Sequence, residues 1–275
     1  MSTETHGMMA QGMAPQEAAE PEAGQEEPPR YLARVQVYTL YERFWHWTQA
    51  LLILLLLFTG FHLHGSLAWL PFGTAYQWHV AAALALMALW VFTIFWQFST
   101  GNWRQFVPLL DEVHHAPTFR QALHGWLLML LRIARYYAWG ILRGEQHPYK
   151  KRLRRKNNPL QALAYFGLMA FIGPLLWLSG LALLSWDFWR HAASLASTEG
   201  WRTLAANAHM LGAWLMLLFV IGHAYLATLG KTPLYLIRGM ITGVEHVWLT
   251  ETELRFLRQW YPQRVLDVRD KETAA

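Results

Sequence analysis

The sequence predicts an all-α membrane protein: a bundle of four transmembrane helices with both termini in the cytoplasm and an amphipathic interfacial helix in the loop between helices II and III. Three observations predict this fold: long runs without charged residues, tryptophans near the ends of those runs, and an uneven distribution of Lys and Arg. Of the 275 residues, 54% are hydrophobic and 15% are charged, a balance that ordinary soluble domains do not have.

The four predicted spans follow from uncharged runs that exceed the roughly 20 residues needed to cross a bilayer core. The run over residues 44–99 contains no Asp, Glu, Lys or Arg, and glycines and a proline near residues 65–74 divide it into two spans. Residues 157–186 and 203–230 form two further uncharged runs. The spans are therefore expected at 43–64, 76–99, 159–185 and 203–230.

The orientation in the membrane follows from the positions of Lys and Arg. Three lie in the segment that ends at Arg43, eleven lie in the loop over residues 101–156, and seven follow residue 230. The loop over 65–77 has none, and the loop over 187–202 has two. The positive-inside rule places both termini and the 101–156 loop in the cytoplasm. Topology thus accounts for the basic charge balance, and nucleic-acid binding is not predicted.

Three segments are expected along the chain: a disordered N-terminal tail over residues 1–30, a transmembrane domain over 31–250 and a cytoplasmic helix and tail over 251–275. The N-terminal tail is rich in Glu, Ala, Pro and Gln and has no apolar core, so it does not resemble a cleaved signal peptide. A short cytoplasmic helix is expected at 251–264.

The long loop over residues 101–156 is expected to contain structure of its own. Between Phe119 and Leu142 the apolar residues repeat at helical spacing, which indicates an amphipathic helix on the cytoplasmic surface of the membrane. The basic run at 150–156 (KKRLRRK) is expected to contact anionic membrane lipid. The predicted apolar face consists of Leu123, Leu127, Leu130, Leu131, Ala134, Ala138 and Ile141.

The chain contains no cysteine. It therefore cannot itself ligate an iron–sulfur cluster, form a disulfide or attach haem covalently through a CxxCH motif. Any haem that it binds must be of b type, held by side-chain ligands and by packing.

Six of the thirteen histidines lie in or beside the predicted spans, and two of them share the fourth span. His209 and His223 are fourteen residues apart, so at about 100° per residue their side chains leave nearly the same face of one helix. They lie roughly 21 Å apart along its axis. Ionisable groups inside a bilayer are costly and usually functional. The six are His46, His62, His64, His79, His209 and His223.

Depth in the membrane groups four of these histidines into two pairs. His46 and His223 lie toward the cytoplasm, whereas His79 and His209 lie toward the outside. A haem iron with two axial imidazoles is closed to small ligands and suits electron transfer. We therefore predict two haem b groups, one for each pair. The alternative is that each histidine is an ordinary residue of the membrane interface, which the agreement in depth makes much weaker.

His62 and His64 leave a further alternative open. His64 is eighteen residues after His46 and faces the same way near the outer surface, so helix geometry alone permits it as the outer ligand in place of His79. In the other interpretation His62 and His64 line the outer rim and contact a haem propionate or a partner.

Six stretches of the sequence point to a known family. They are YERFWHWTQALLILLLLFTGFHLHG (41–65), WHVAAALAL at the start of the second span, FSTGNWRQFVP (98–108), GEQHPYKK (144–151), NPLQALAYFG (158–167) and HAYLATLGKTPLYLIRGMITG (223–243). They resemble the di-haem cytochrome b membrane subunits, which include the nickel–iron hydrogenase b-type cytochrome, the formate dehydrogenase gamma subunit and the thiosulfate-reductase-type cytochrome b. The resemblance covers residues 31–250 and is strongest to the thiosulfate-reductase-type branch.

The resemblance implies a multi-pass protein of the bacterial inner membrane with two b haems. The ligand positions of the family match His46, His79, His209 and His223 one for one, which favours His79 over His64. It also implies electron exchange with a quinone, menaquinone or ubiquinone, beside the cytoplasmic haem. The implied partner is a periplasmic redox subunit, with iron–sulfur or multihaem c-type proteins as candidates.

A quinone pocket is expected where the third span begins. In the formate dehydrogenase branch an Asn at this place belongs to the pocket, and Asn158 resembles it. Gln161 and Arg43 are polar groups expected near the same depth. The alternative is that Asn158 caps the third helix ahead of Pro159, which suits the first helical turn.

The expected function is electron transfer between a periplasmic redox partner and the quinone pool, with this chain as the membrane anchor. A second hypothesis is a self-standing membrane oxidoreductase, either a ferric reductase or a cytochrome b561-like superoxide:quinone oxidoreductase. The first predicts co-purifying subunits, and the second predicts activity of the isolated chain. A third hypothesis is a haem-free scaffold or transporter subunit, against which the absence of charged residues inside the spans counts.

Overall fold

The computed structural model describes residues 30–101, 103, 117–145, 147–149, 158–186, 198–230 and 232–270. The predicted N-terminal tail up to residue 29 and the basic run at 150–156 lie outside the described residues. The molecule divides into two compact units. The membrane unit is Tyr38–Gly243, and the second unit combines the described residues up to Val37 with those from Val244 onward.

Four helices of the described chain are long and apolar enough to cross a membrane, which confirms the predicted helical fold with four spans. We call them spans I to IV. Helix α1 is span I, α2 is span II, α4 and α5 with the turn between them are span III, and α6 contains span IV. The helices of the membrane unit are α1 (Leu40–Leu63), α2 (Phe72–Thr100), α3 (Phe119–Ala138), α4 (Pro159–Gly167), α5 (Gly173–Leu184), α6 (Thr198–Ala227) and α7 (Tyr235–Thr242).

Local sequence signals set the ends of the first two spans. Thr39 and Glu42 form a capping box at the start of α1, in which Thr39 Oγ1 accepts from the Glu42 backbone N–H at 3.2 Å. The Glu42 carboxylate accepts in return from the Thr39 backbone N–H at 2.8 Å. A cap of this kind is worth about 1 kcal/mol. Helix α2 ends at Gly101, whose φ of 72° is a left-handed conformation that favours glycine.

The core of the membrane unit lies midway along the spans. Span I packs along span II, and span III packs along span IV. Apolar helices in a bilayer associate through close packing, which small residues permit. A methyl group on Gly173 of span III would overlap the indole ring of Trp90 on span II. The central cluster takes residues from all four spans and consists of Ile53, Leu86, Trp90, Leu168 and Met216.

Span III changes its winding near its middle. Residues Leu168–Ile172 form a π-helical turn between α4 and α5, immediately before Gly173 and Pro174. Proline has no backbone N–H and cannot continue the regular ladder of a helix. Both a wider turn of this kind and a proline are recognised sources of helix kinks, and here they are adjacent.

Helix α3 lies inside the segment where the sequence predicts an amphipathic helix, and the side that packs on protein is a stripe beside the predicted apolar face. The buried residues are Ala122, Trp126 and Ile133, which share one stripe of the helix. Leu127 and Leu131 of the predicted face are exposed in the protein. The apolar side of the helix is therefore wide: one stripe packs on protein, and the exposed leucines beside it stay available for lipid.

The second unit contains a three-stranded sheet that the sequence analysis does not predict. Its strands are β1 (Tyr31–Gln36), β2 (Val244–Leu249) and β3 (Val265–Asp270), with β1 in the centre and antiparallel to both neighbours. Helix α8 (Glu251–Trp260) lies where a short helix is expected. The unit buries Ala33, Val35, Leu249, Leu254 and Leu257.

Candidate functional site

The first histidine pair joins the start of span I to the later part of span IV. The imidazole rings of His46 and His223 have centroids 6.0 Å apart. The ring of His223 also stacks on Phe219, one turn earlier in the same helix, at 5.9 Å and an interplanar angle of 9°. Tyr165 of span III lies edge-on to His223 with ring centroids 6.4 Å apart. These aromatic contacts hold the His223 ring on the side of the helix that faces His46.

The second pair joins the start of span II to the earlier part of span IV. The rings of His79 and His209 have centroids 6.1 Å apart and planes at 70° to each other. Span IV thus supplies one imidazole to each pair. The structure therefore brings together the four histidines in the two combinations that membrane depth predicts.

The separation within each pair suits a single metal ion between two rings. An imidazole–metal bond of about 2 Å puts the ring centre about 3 Å from the metal, so two opposed ligands have centroids roughly 6 Å apart. Among the described residues, no group of three or more His, Cys, Asp or Glu side chains could hold a metal ion unaided. Two imidazoles in each site fit a metal whose remaining ligands come from a planar macrocycle, as in haem.

Each imidazole of the second pair has a hydroxyl partner on a different span. Thr59 Oγ1 of span I lies 2.9 Å from Nδ1 of His79. Ser179 Oγ of span III lies 3.1 Å from Nδ1 of His209. Metal-binding histidines commonly donate the N–H of the other ring nitrogen to such an acceptor, which fixes the orientation of the ring.

A glycine follows each of these hydroxyl residues and makes room for the ring. A methyl group at Gly60 would lie 3.3 Å from Cε1 of His79, and one at Gly180 would lie 3.2 Å from Cε1 of His209. Both distances are shorter than ordinary van der Waals contact. Sequence reasoning missed Thr59 and Ser179, although a hydroxyl residue before a glycine in two apolar spans was a visible signal.

The first pair is surrounded differently. Nδ1 of His46 is buried, and no hydrogen-bond partner for it occurs in the described part of the chain. Arg43, one turn before His46, donates from Nη1 to the backbone carbonyl of Ile241 at 2.9 Å. Trp47 Nε1 likewise donates to the carbonyl of Met240 at 3.3 Å. The start of span I is thus held against the end of α7.

The predicted quinone residues Asn158 and Gln161 form a helix cap. Asn158 Oδ1 accepts from the Gln161 backbone N–H at 2.8 Å, and Gln161 Oε1 accepts from the Asn158 backbone N–H at 3.0 Å. The Asn158 amide also donates to the hydroxyl of Tyr137 at 3.2 Å. That hydroxyl lies 3.2 Å from Nε2 of His147. Asn158 therefore caps span III and also belongs to a polar cluster with α3 and His147.

His62 and His64 lie apart from the two pairs. His64 is exposed, and its Nδ1 lies 3.3 Å from the hydroxyl of Ser66. His62 is 7% exposed, and its Nδ1 is buried without a hydrogen-bond partner among the described residues. The structure thus places His79, and not His64, opposite His209.

Four apolar spans with two facing imidazole pairs define a membrane-bound cytochrome of b type. The model of the family described as prokaryotic cytochrome b561 matches residues 37–243. The chain belongs to this family, whose members are membrane electron-transfer proteins with haem b. It is a multi-pass inner-membrane protein.

Three relatives illustrate the family. The chain is 32% identical to the putative cytochrome YdhU of Escherichia coli (strain K12), over 76% of this chain and 74% of that protein. It is 28% identical to a probable Ni/Fe-hydrogenase B-type cytochrome subunit of Azotobacter chroococcum mcd 1, over 78% of this chain and 88% of that protein. A protein of the same name from Azotobacter vinelandii is 27% identical over the same shares. No solved structure gives a significant match.

Proposed function

We propose that this chain binds two haem b groups and carries electrons between a periplasmic redox partner and the quinone pool at the cytoplasmic side of the membrane. The observation that carries the proposal is the pair of facing imidazoles at each end of span IV, His46 with His223 and His79 with His209. A haem held by the two imidazoles of a pair would supply one-electron transfer.

The charge distribution supports the orientation. All Lys and Arg residues except Arg190 and Arg202 lie on the side of the two termini and the long loop. The positive-inside rule makes that side the cytoplasm. The His46–His223 pair is then the inner one, and the His79–His209 pair is the outer one, near the periplasm. We use the names inner pair and outer pair in this sense.

The outer pair lies at the surface where we propose that a redox partner docks. Two of these relatives carry the name of a hydrogenase subunit. Their names support an arrangement in which a membrane cytochrome serves a separate redox enzyme. For this chain we propose a periplasmic partner that contains iron–sulfur or multihaem c-type groups. Because the chain has no cysteine, such groups must belong to the partner.

The quinone, menaquinone or ubiquinone, is proposed to bind beside the inner pair, where span III begins. Reducing a quinone to its quinol takes up two electrons and two protons, so the head group needs hydrogen-bond partners and contact with water. The cluster of Asn158, Tyr137 and His147 offers such groups. Burial raises the pKa of the Tyr137 phenol. Like an ordinary phenol, it is protonated and able to donate at neutral pH. Arg43 and Gln161 remain candidates for the same pocket.

Purification of the full chain from membranes in mild detergent tests this function. Pyridine haemochrome analysis should give about two haems per polypeptide, and a value near one would contradict two bis-imidazole sites. Co-purification of a redox subunit supports the anchor role. The family description favours a second candidate, a self-standing cytochrome b561-like oxidoreductase. Full quinone-linked activity of the isolated chain, with no other subunit present, would favour that candidate.

A further inference from the structure

We propose that Thr59 and Ser179 are positioning residues: their hydroxyls hold His79 and His209 in the tautomer that leaves Nε2 free to bind iron, and they lower the reduction potential of the outer haem. The inference rests on the proposed function, because it takes His79 and His209 as the ligands of that haem. It concerns two side chains that do not touch the iron themselves.

The hydrogen bonds of Thr59 determine which way its hydroxyl acts. Thr59 Oγ1 lies 2.7 Å from the carbonyl oxygen of Leu55, one turn earlier in span I. A carbonyl can only accept, so this bond uses the single hydroxyl proton. The same oxygen lies 2.9 Å from Nδ1 of His79 and must therefore accept there. Nδ1 then carries the ring proton, and Nε2 keeps the lone pair that binds a metal.

Ser179 repeats this arrangement on span III. Its Oγ donates to the carbonyl of Leu175, at 2.5 Å, and lies 3.1 Å from Nδ1 of His209. The same reasoning puts the ring proton of His209 on Nδ1. Both imidazoles of the outer pair are thus fixed in the same tautomer by hydroxyls from two different spans.

Burial and the neighbouring glycines make the arrangement rigid. Thr59 is fully buried, and Ser179 is 6% exposed. Gly60 and Gly180 let the Cε1 edge of each ring approach the helix backbone. A larger residue at either place would push the ring away from its hydroxyl. The hydroxyl–glycine step therefore positions the ring in both spans.

In the inner pair, His46 has no hydroxyl beside its Nδ1 among the described residues. Its Nδ1 is buried, and the described residues offer it no acceptor. A hydrogen bond from Nδ1–H makes an imidazole a more basic ligand, which stabilises ferric more than ferrous iron. The two hydroxyls should therefore lower the potential of the outer haem. The inner haem should not respond to them.

Redox titration of the full-length, haem-loaded protein tests the proposal. Thr59→Val keeps the branched shape but removes the hydroxyl acceptor, and Ser179→Ala removes the hydroxyl acceptor at the other ring. Each should raise the midpoint potential of one haem component and shift its low-spin ferric EPR signal, while the second component stays unchanged. Both variants should move the same component, because their rings serve the same iron. Thr59→Ser and Ser179→Thr keep the hydroxyl, so the midpoint potentials of these two variants should equal those of the wild type.

Thr93→Val is the matched control. Thr93 is also buried in a span, and its hydroxyl also bonds to the carbonyl one turn earlier, that of Leu89 at 2.8 Å. The hydroxyl of Thr93 contacts Tyr41 and not a predicted ligand. Its loss should leave both potentials unchanged.

Four results would decide whether the hydroxyls position the rings. Unchanged potentials and EPR signals in Thr59→Val and Ser179→Ala, with both haems bound, would overturn the positioning role. Loss of the outer haem in Thr59→Val but not in Thr59→Ser would support it, whereas loss in both would overturn it. His79→Ala separates this failure from failure of the proposed function: if that variant keeps both haems, His79 is not a ligand at all.

Discussion

The indole N–H of Trp90 on span II donates a hydrogen bond to the side-chain carbonyl of Gln49 on span I, 2.9 Å away. The bond lies beside the central apolar cluster, to which Trp90 belongs. Inside a bilayer no water is present to accept a hydrogen bond from an indole N–H. The bond to Gln49 therefore holds spans I and II at a defined register. It also lies one turn from His46 along span I, which links the packing of the core to the inner pair.

Replacement of Gln49 by Leu should destabilise the membrane unit. Interhelical hydrogen bonds in membrane proteins contribute about 0.6 kcal/mol on average and up to about 1.7 kcal/mol. We expect a loss of about 1 kcal/mol in the free energy of unfolding in detergent, because the indole N–H of Trp90 stays buried without an acceptor.

A double-mutant cycle checks this interpretation. Trp90→Phe removes the donor, and the combination of Gln49→Leu with Trp90→Phe should cost less than the sum of the two single changes. If the two losses simply add, the bond makes no contribution of its own.

The contact between Gly173 and Trp90 leads to a second prediction. A methyl group at Gly173 would overlap the indole ring, so Gly173→Ala must displace span III or Trp90, at a cost of about 1–3 kcal/mol. Gly167→Ala is the matched control, because the same methyl group there has no neighbour within 4 Å. Thermal unfolding followed by the haem absorption should show a lower midpoint for Gly173→Ala alone. Equal midpoints for the two variants would contradict the packing argument.

The four spans and the two histidine pairs could be predicted because their signals are local. Uncharged runs mark the spans, and a spacing of fourteen residues on one helix fixes the faces of His209 and His223. The cap at Asn158 was readable for the same reason, since an Asn before Pro159 is a local pattern. The structure contains four such spans, the cap at Asn158 and the two histidine contacts.

The features that the sequence did not predict depend on contacts between distant segments. Strand β1 pairs with β2 and β3, which lie more than 200 residues later. None of the three strands has a distinctive sequence pattern of its own. The bond from Thr59 to His79 joins two spans, so periodicity along one helix cannot show it. The buried side of α3 also depends on the surface that it meets.

The histidine pairs lead to a third prediction, on haem content. His223→Ala should remove the inner haem and quinone reactivity while the outer haem stays at least partly bound, because His209 and His223 serve different irons. Visible spectra and pyridine haemochrome analysis measure the remaining haem. Loss of both haems from a protein that is otherwise folded would count against the pairing.

His64→Ala is the control for ligand identity. His64 is exposed and hydrogen-bonded to Ser66, so both haems should remain in the His64→Ala variant. His79→Ala should lose the outer haem. The opposite pattern, in which His64→Ala loses a haem and His79→Ala does not, would show that the outer ligand is wrongly assigned.

The last prediction separates the two roles considered for Asn158. Its Oδ1 caps span III, and its amide donates to Tyr137. Asp caps a helix as well as Asn and can accept from the Tyr137 hydroxyl, so Asn158→Asp should leave stability nearly unchanged. Asn158→Leu loses the cap and should cost about 1 kcal/mol. If Asn158 also contacts the quinone, both variants should slow quinone-dependent haem oxidation or reduction while the haem spectrum stays intact.

A cap variant in the second unit controls for the loss of a cap as such. Thr250 forms the same kind of capping box with Glu253 at the start of α8, so Thr250→Ala should cost a similar amount of local stability. Its quinone kinetics should equal those of the wild type. Stopped-flow spectroscopy at the haem absorption band, with a menaquinone or ubiquinone analogue, provides the measurement. Wild-type kinetics in both Asn158 variants would remove Asn158 from the proposed quinone pocket and leave it a cap alone.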